Sequence, residues 1–168
     1  MFSIFLLVIL NLFTLVLGDC PDGSTNWGAL CFQGYIEKET WNKAEQLCSQ
    51  YWNKGHLVSV TDAYKNSVLP YVFDTAVVDY WIGAKFSSGK WTWSDSNDFT
   101  YENWARGQPN NTMGDCAVQR YSDSEWLSHP CSQKKQYICE FPSLNVTRTT
   151  TPPNICGTLT SLPALHTQ

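Results

Sequence analysis

Two carboxamides flank a proline at Gln108-Pro109-Asn110, and Asp115, Asp123, Glu125 and Ser128 follow shortly after. Oxygen-bearing side chains at this density raise the chemistry of a hard cation. Calcium takes six to eight oxygens, and carboxylate charge sets most of the affinity. In such a site Gln108 and Asn110 would be neutral ligands, Asp115, Asp123 and Glu125 the charged ones, and Ser128 a weak hydroxyl donor. The competing reading is a solvated polar face, the usual fate of local carboxylates. Nucleophilic catalysis finds little support. The histidines are His56, His129 and His166, and no serine or cysteine sits in a nucleophile motif. Ser128 precedes His129, but adjacent side chains seldom face each other productively, and no carboxylate is placed to orient the pair. Zinc is equally unsupported, because no His/Cys cluster has ligand spacing and the cysteines are better used in disulfides. These patterns point to a binding protein and not to an enzyme.

The elements that must position these residues read as a mixture of helices and strands. Ser94 to Gly114 is rich in Asn, Asp, Gly and Pro, and a loop of that length in a small domain is usually functional or specifically anchored. Before it, TWNKAEQLCSQYW predicts a helix with Thr40 as N-cap and Trp41, Ala44, Cys48 and Tyr51 on one apolar face. TDAYKNSVLPYVF predicts a second helix capped by Thr61 or Asp62, with Tyr64, Val68 and Val72 buried. Pro70 should shorten or kink it. VVDYWIGA reads as a buried strand, KWTW as a strand with Trp91 and Trp93 on the same side, and DCAVQRY and KQYICEF as further strands.

The chain has 168 residues, 43% of them hydrophobic, with eight each of Trp, Tyr and Phe, enough for one real core. Residues 1–18 form an uncharged apolar run that reads as a secretory signal peptide, with no membrane span left after its removal. Residues 19–142 form the domain, and residues 143–168 a Thr/Pro-rich flexible tail. Seven cysteines follow the apolar run, and in a secreted chain they read as a disulfide framework with one left over. Cys156, alone in the tail, is the natural odd one and could bridge two chains into a covalent dimer. A net charge of -4 without a basic stripe argues against nucleic acid and against an anionic membrane surface.

Residues 20–141 resemble a C-type lectin-like domain. The resemblance is carried by CPDGSTNWGALCF, TWNKAEQLC, HLVSV, WIGA, KWTWSD, YENW, GQPN, Cys116, EWLSHPC and YICE in that order. It implies an α+β fold with two helices packed on small antiparallel sheets, a long loop and three disulfides. The implied pairs are Cys20 with Cys31, Cys48 with Cys139 and Cys116 with Cys131. The second closes a loop of about ninety residues, for which the chain-entropy model gives on the order of 4 kcal/mol. In sugar-binding members, EPN or QPD in the long loop, a Glu two residues before the third framework cysteine, and an Asn-Asp pair after a tryptophan hold calcium. Carried over, the tripeptide keeps two amides and no carboxylate, Gly114 stands where the Glu would be, and Leu127 and Ser128 follow Trp126. Such a set binds calcium at millimolar strength or worse.

Asn110-Asn111-Thr112 and Asn145-Val146-Thr147 are N-glycosylation sequons, and a glycan on Asn110 would cover the same loop. The resulting expectation is a secreted, extracellular recognition module for a glycan or protein ligand, without the usual calcium cage. The alternative is a calcium-dependent lectin with a cage rebuilt around Gln108-Pro109-Asn110. The candidate ligand-binding residues are Gln108, Asn110, Asp115, Glu125 and Ser128, with Gln108 and Asn110 contacting any metal.

Overall fold

Helix α1, Trp41–Tyr51, forms where the apolar spacing predicts it, and the Thr40 hydroxyl accepts the Lys43 N–H at 3.4 Å to cap it. Trp41, Ala44 and Cys48 are buried, but Tyr51 is 53% exposed, stacked at the surface on Tyr35. The computed structural model describes residues 19–73 and 78–144. The apolar leader, the Asn145 sequon and the tail with Cys156 and His166 lie outside the described residues.

Strands β1 (Thr25–Trp27) and β2 (Leu30–Glu39) precede α1, and β3 (His56–Leu57) follows it. Helix α2, Ala63–Val68, is capped by the Asp62 carboxylate accepting Lys65 N–H at 2.8 Å. It tightens into a 3-10 turn over Leu69–Val72, as Pro70 requires. Its inward face differs from the expected one. Tyr64 is 69% exposed and Val68 and Val72 are only partly buried, whereas Lys65, Asn66, Leu69 and Pro70 are buried. The reason is polar: Asn66 and Lys65 each meet a partner inside the domain, so an apolar-spacing argument picks the wrong face.

The remaining strands are β4 (Tyr80–Ser87), β5 (Lys90–Trp93), β6 (Cys116–Gln119), β7 (Trp126–His129) and β8 (Lys135–Pro142). They form one mixed sheet in the order β1-β2-β8-β4-β6-β7, with β3 on β8 and β5 on β4. Two antiparallel parts meet at the parallel pairing of β4 with β8, Tyr80 opposite Gln136 and Trp81 opposite Tyr137. Strand β2 runs antiparallel to β8 from Leu30 opposite Pro142 to Glu39 opposite Lys135, so the two ends of the domain lie side by side.

Both faces of this sheet are covered, because successive side chains of a strand point to opposite faces. Along β4, Tyr80 and Ile82 enter a core with Phe32, Leu69, Trp93, Trp126 and Ile138, while Trp81 enters a second core with Trp41, Cys48, Leu57 and Tyr137. The second core holds α1 in place. Indole N–H groups are satisfied there by backbone: Trp41 donates to the Ile82 carbonyl at 2.9 Å and Trp81 to the Glu39 carbonyl at 2.8 Å. The three implied disulfides are present, with Cα separations of 5.7 Å for Cys20–Cys31, 5.3 Å for Cys48–Cys139 and 5.1 Å for Cys116–Cys131.

Candidate functional site

The long loop leaves β5 at Ser94 and returns to β6 at Cys116, and Trp126 on β7 is the post around which it wraps. Trp126 N–H donates to the Asn103 carbonyl at 2.8 Å, and its own carbonyl accepts Ala105 N–H at 3.0 Å. Its ring meets Trp93, Phe99, Tyr101 and Trp104 edge to face, with centroids 5.5 to 6.2 Å apart. This geometry favours the ring quadrupoles and fixes the loop on an aromatic base. These aromatic side chains are therefore the scaffold of the loop itself.

At the tip, the Gln108–Pro109 bond is cis. The Gln108 side-chain oxygen accepts Ser128 N–H at 3.0 Å and Asn110 N–H at 3.1 Å. Asn110 N–H also reaches the hydroxyl of buried Ser128 at 3.0 Å. The Asn110 side-chain oxygen accepts Thr112 N–H at 3.1 Å and the Thr112 hydroxyl at 2.7 Å. A carboxamide oxygen has two lone pairs, and in both residues both are occupied by protein donors. Gln108, Asn110 and Ser128 are thus brought together, but as a clasp that fastens the loop tip to β7.

The carboxylates do not join them. Glu125 and Asp123 are both held by Arg120, whose guanidinium lies 2.6 Å from each. That hydrogen-bonded partnership keeps the Asp123 carboxyl below the usual carboxylate range. Asp115 is exposed, and its backbone carbonyl accepts Phe86 N–H at 2.7 Å, which closes the loop base beside Cys116. Among the described residues no group of three His, Cys, Asp or Glu side chains is arranged to hold a metal ion. The residues present do not fit a calcium cage. Ser128 and His129, adjacent on β7, diverge: Ser128 is buried against Asn110, and the half-buried His129 ring lies 3.1 Å from the Gln133 side chain.

The family model described as "Lectin C-type domain" matches residues 37–141. This chain belongs to the C-type lectin domain family. Among its relatives, one subunit of a snaclec coagulation factor IX/factor X-binding protein from Echis carinatus is 30% identical over 129 residues, covering 74% of this chain and 99% of the relative. Human lithostathine superposes with a TM-score of 0.69 at 26% identity, covering 74% of this chain and all of that one. A calcium-independent type II antifreeze protein superposes with a TM-score of 0.67 at 27% identity, over 74% of this chain and 95% of that one.

One feature of this lectin-like domain escapes sequence reasoning. Between β5 and the outgoing arm of the long loop lies a cavity of about 540 Å3, with Trp91, Trp93 and Phe99 in its wall and Asn97 and Asp98 beside them. The indole N–H groups of Trp91 and Trp93 are buried without an acceptor. The alternation of KWTW shows that these rings share a side, but a cavity depends on where residues 96–99 return, which no local pattern records.

The polar support of Trp126 is just as nonlocal. Its indole N–H donates to the Asn66 side-chain oxygen at 2.8 Å, which also accepts from Gln119 at 3.1 Å, and the Asn66 amide donates to the Ser124 carbonyl at 3.1 Å. Replacing Asn66 by alanine strands the buried indole donor of Trp126, whereas the Gln119 amide keeps the Asn66 backbone carbonyl at 2.7 Å. The expected cost is about 2 to 3 kcal/mol in urea unfolding, the upper range for unmaking buried hydrogen bonds. An unchanged midpoint would show that the Trp126 post stands without Asn66.

Proposed function

We propose that this domain is an extracellular recognition module whose long-loop face binds a glycan or protein ligand without calcium. The observation that carries the reading is the clasp: the two amide oxygens that would face calcium are already fully used by Ser128, Asn110 and Thr112 donors. Binding calcium there would exchange four internal hydrogen bonds for a cation with no adjacent carboxylate, an unfavourable exchange. Extracellular placement is supported by the three disulfides and by the apolar leader. The factor IX/factor X binding stated for the Echis carinatus relative makes a protein ligand a reasonable class here. The cavity beside Trp91 and Trp93 adds a recess walled by the outgoing arm of the same loop. Asn110 is a proposed glycan acceptor as well. Its side-chain oxygen already receives the Thr112 hydroxyl, and a glycan on its nitrogen would stand over the loop tip.

The test is the thermal unfolding midpoint in millimolar calcium and in chelator. Equal midpoints are expected. A calcium-specific rise would mean that the folded state binds the ion more tightly than the unfolded chain, and the reading would fall. Competition by monosaccharides in chelator then separates a glycan ligand from a protein one.

A further inference from the structure

Away from the long loop, strand β2 carries an irregularity between Tyr35 and Glu39, opposite the start of β8. Lys38 sits in that irregularity. Together with Lys134 and Lys135 it lines a recess of about 340 Å3, completed by Val78, Asp79 and Gln136. Three lysines thus line one opening whose wall contains a single acidic residue. Two further acids flank Lys38 in the chain: Glu39, 3.7 Å from Lys134, and the exposed Glu37. The Lys38 and Lys135 ammonium groups make no ion pair or hydrogen bond among the described residues. Lys135 is partly buried, with its ammonium 5.9 Å above the Trp81 ring. Burial is the larger cause that holds its pKa below the ordinary lysine value, and repulsion from Lys38 adds to it against the attraction of Asp79. The Gln136 amide is already engaged, donating to the Ile36 carbonyl at 3.3 Å.

A recess that gathers three lysines, two of them without an ion pair among the described residues, is completed by an oxyanion. We propose that Lys38, Lys134 and Lys135 form a binding site for a sulfate group, carried by a sulfated extracellular glycan. The cations neutralise the oxyanion, and binding relieves the mutual repulsion of Lys38 and Lys135. The choice of a sulfated glycan over another oxyanion source rests on the extracellular placement proposed above. The site itself stands independently of the long loop and its calcium chemistry. The chain as a whole is acidic, so retention on a polyanion would report a local feature and not net charge.

The experiment uses the full secreted protein on immobilised heparin in chelator, eluted with sodium chloride. The pocket variant is Lys38→Ser with Lys134→Ser, both exposed positions, and the charge-matched control is Lys43→Ser with Lys54→Asn. Wild type and control are expected to be retained and the pocket variant to elute earlier, its salt slope reduced by about two. In parallel, unfolding midpoints are measured in sodium sulfate or phosphate against chloride of equal ionic strength. A midpoint rise in wild type that the pocket variant lacks, without heparin retention, supports the oxyanion site with a free anion as its source. No retention and no midpoint rise would overturn the proposal, as would equal loss of retention in pocket variant and control. All readouts are taken in chelator, so they neither depend on nor decide the calcium question.

Discussion

Replacing Lys65 by methionine is expected to cost the domain about 3 to 5 kcal/mol at neutral pH, the range for removing one member of a buried ion pair. Lys65 on α2 pairs with Glu140 on β8, and their side chains are only 3% and 8% exposed. Methionine keeps the aliphatic packing over Phe32 but removes the charge, leaving the Glu140 carboxyl in the core without its cation. The deficit should depend on pH with a defined sign. Burial raises the Glu140 carboxyl above its ordinary value, and Lys65 and the Ser59 hydroxyl only partly offset this. The folded state therefore holds that proton more tightly than the unfolded chain. Stability from this group is fully present below the ordinary carboxylate range and declines as pH rises through the raised folded value. Without Lys65 the folded value rises further, so the deficit is largest at neutral pH and smallest in mild acid. Urea unfolding in mild acid and at neutral pH measures it, and a pH-independent deficit would contradict the assignment. Lys65→Met combined with Glu140→Leu should recover most of the loss, because a well-packed apolar pair replaces a buried ionic one at little cost.

The pair matters beyond stability because it begins a polar chain that reaches the long loop. Ser59 donates to Glu140 at 3.5 Å, the Asn97 amide donates to Ser59 at 2.9 Å, and the same amide reaches Asp95 at 2.8 Å. Asp95 and Asn97 anchor the arm that walls the cavity beside Trp93. Loosening Lys65 and Glu140 therefore acts on the loop through Ser59.

What the sequence reveals divides along this same line between local and nonlocal information. Helix α1 is legible because Trp41, Ala44 and Cys48 repeat at helical spacing behind a capping threonine. The disulfide pairs and the overall architecture are what the family resemblance implies, and that resemblance is carried by an ordered series of motifs, each short and local. Helix α2 is legible in extent and misread in orientation, because its buried face carries Lys65 and Asn66, whose partners Glu140 and Trp126 lie far along the chain. Strand β2, the longest in the sheet, is not legible at all: FQGYIEKE is half polar and takes its strand character from pairing with β8. The site shows the same split. Gln108, Asn110 and Ser128 are joined by hydrogen bonds, and neither the Asp115 nor the Glu125 side chain shares in them. Arg120, which claims Asp123 and Glu125, is a lone basic residue that no coordination pattern would flag. The lysine recess joins residues from β2 and β8 and forms no stripe in the sequence.

Restoring a carboxylate at position 114 is expected to destroy the fold of the loop base before it restores any metal site. The family pattern suggests Gly114→Glu as the repair, since a glutamate two residues before the third framework cysteine would supply the missing charge. The backbone forbids it. Gly114 has φ of +152°, a region essentially reserved for glycine, and a Cβ built there would fall inside the His129–Pro130 peptide. The obstruction is backbone, pinned by the Cys116–Cys131 disulfide and by Cys116 pairing with His129, so it cannot step aside as a side chain would. Backbone strain of about 1–3 kcal/mol and overpacking of about 1–3 kcal/mol sum to a cost on the order of 4 kcal/mol. Gly114→Ala should lose nearly as much as Gly114→Glu, because the Cβ and not the carboxylate is responsible. A stable Gly114→Glu protein whose midpoint rises in calcium would contradict this, and would show that the loop base can move and that the Gln108 clasp opens to the ion. Equal damage from alanine and glutamate, with no calcium response in either, would mean that the departure from the family's metal site is built into the backbone. No single side chain could then reverse it.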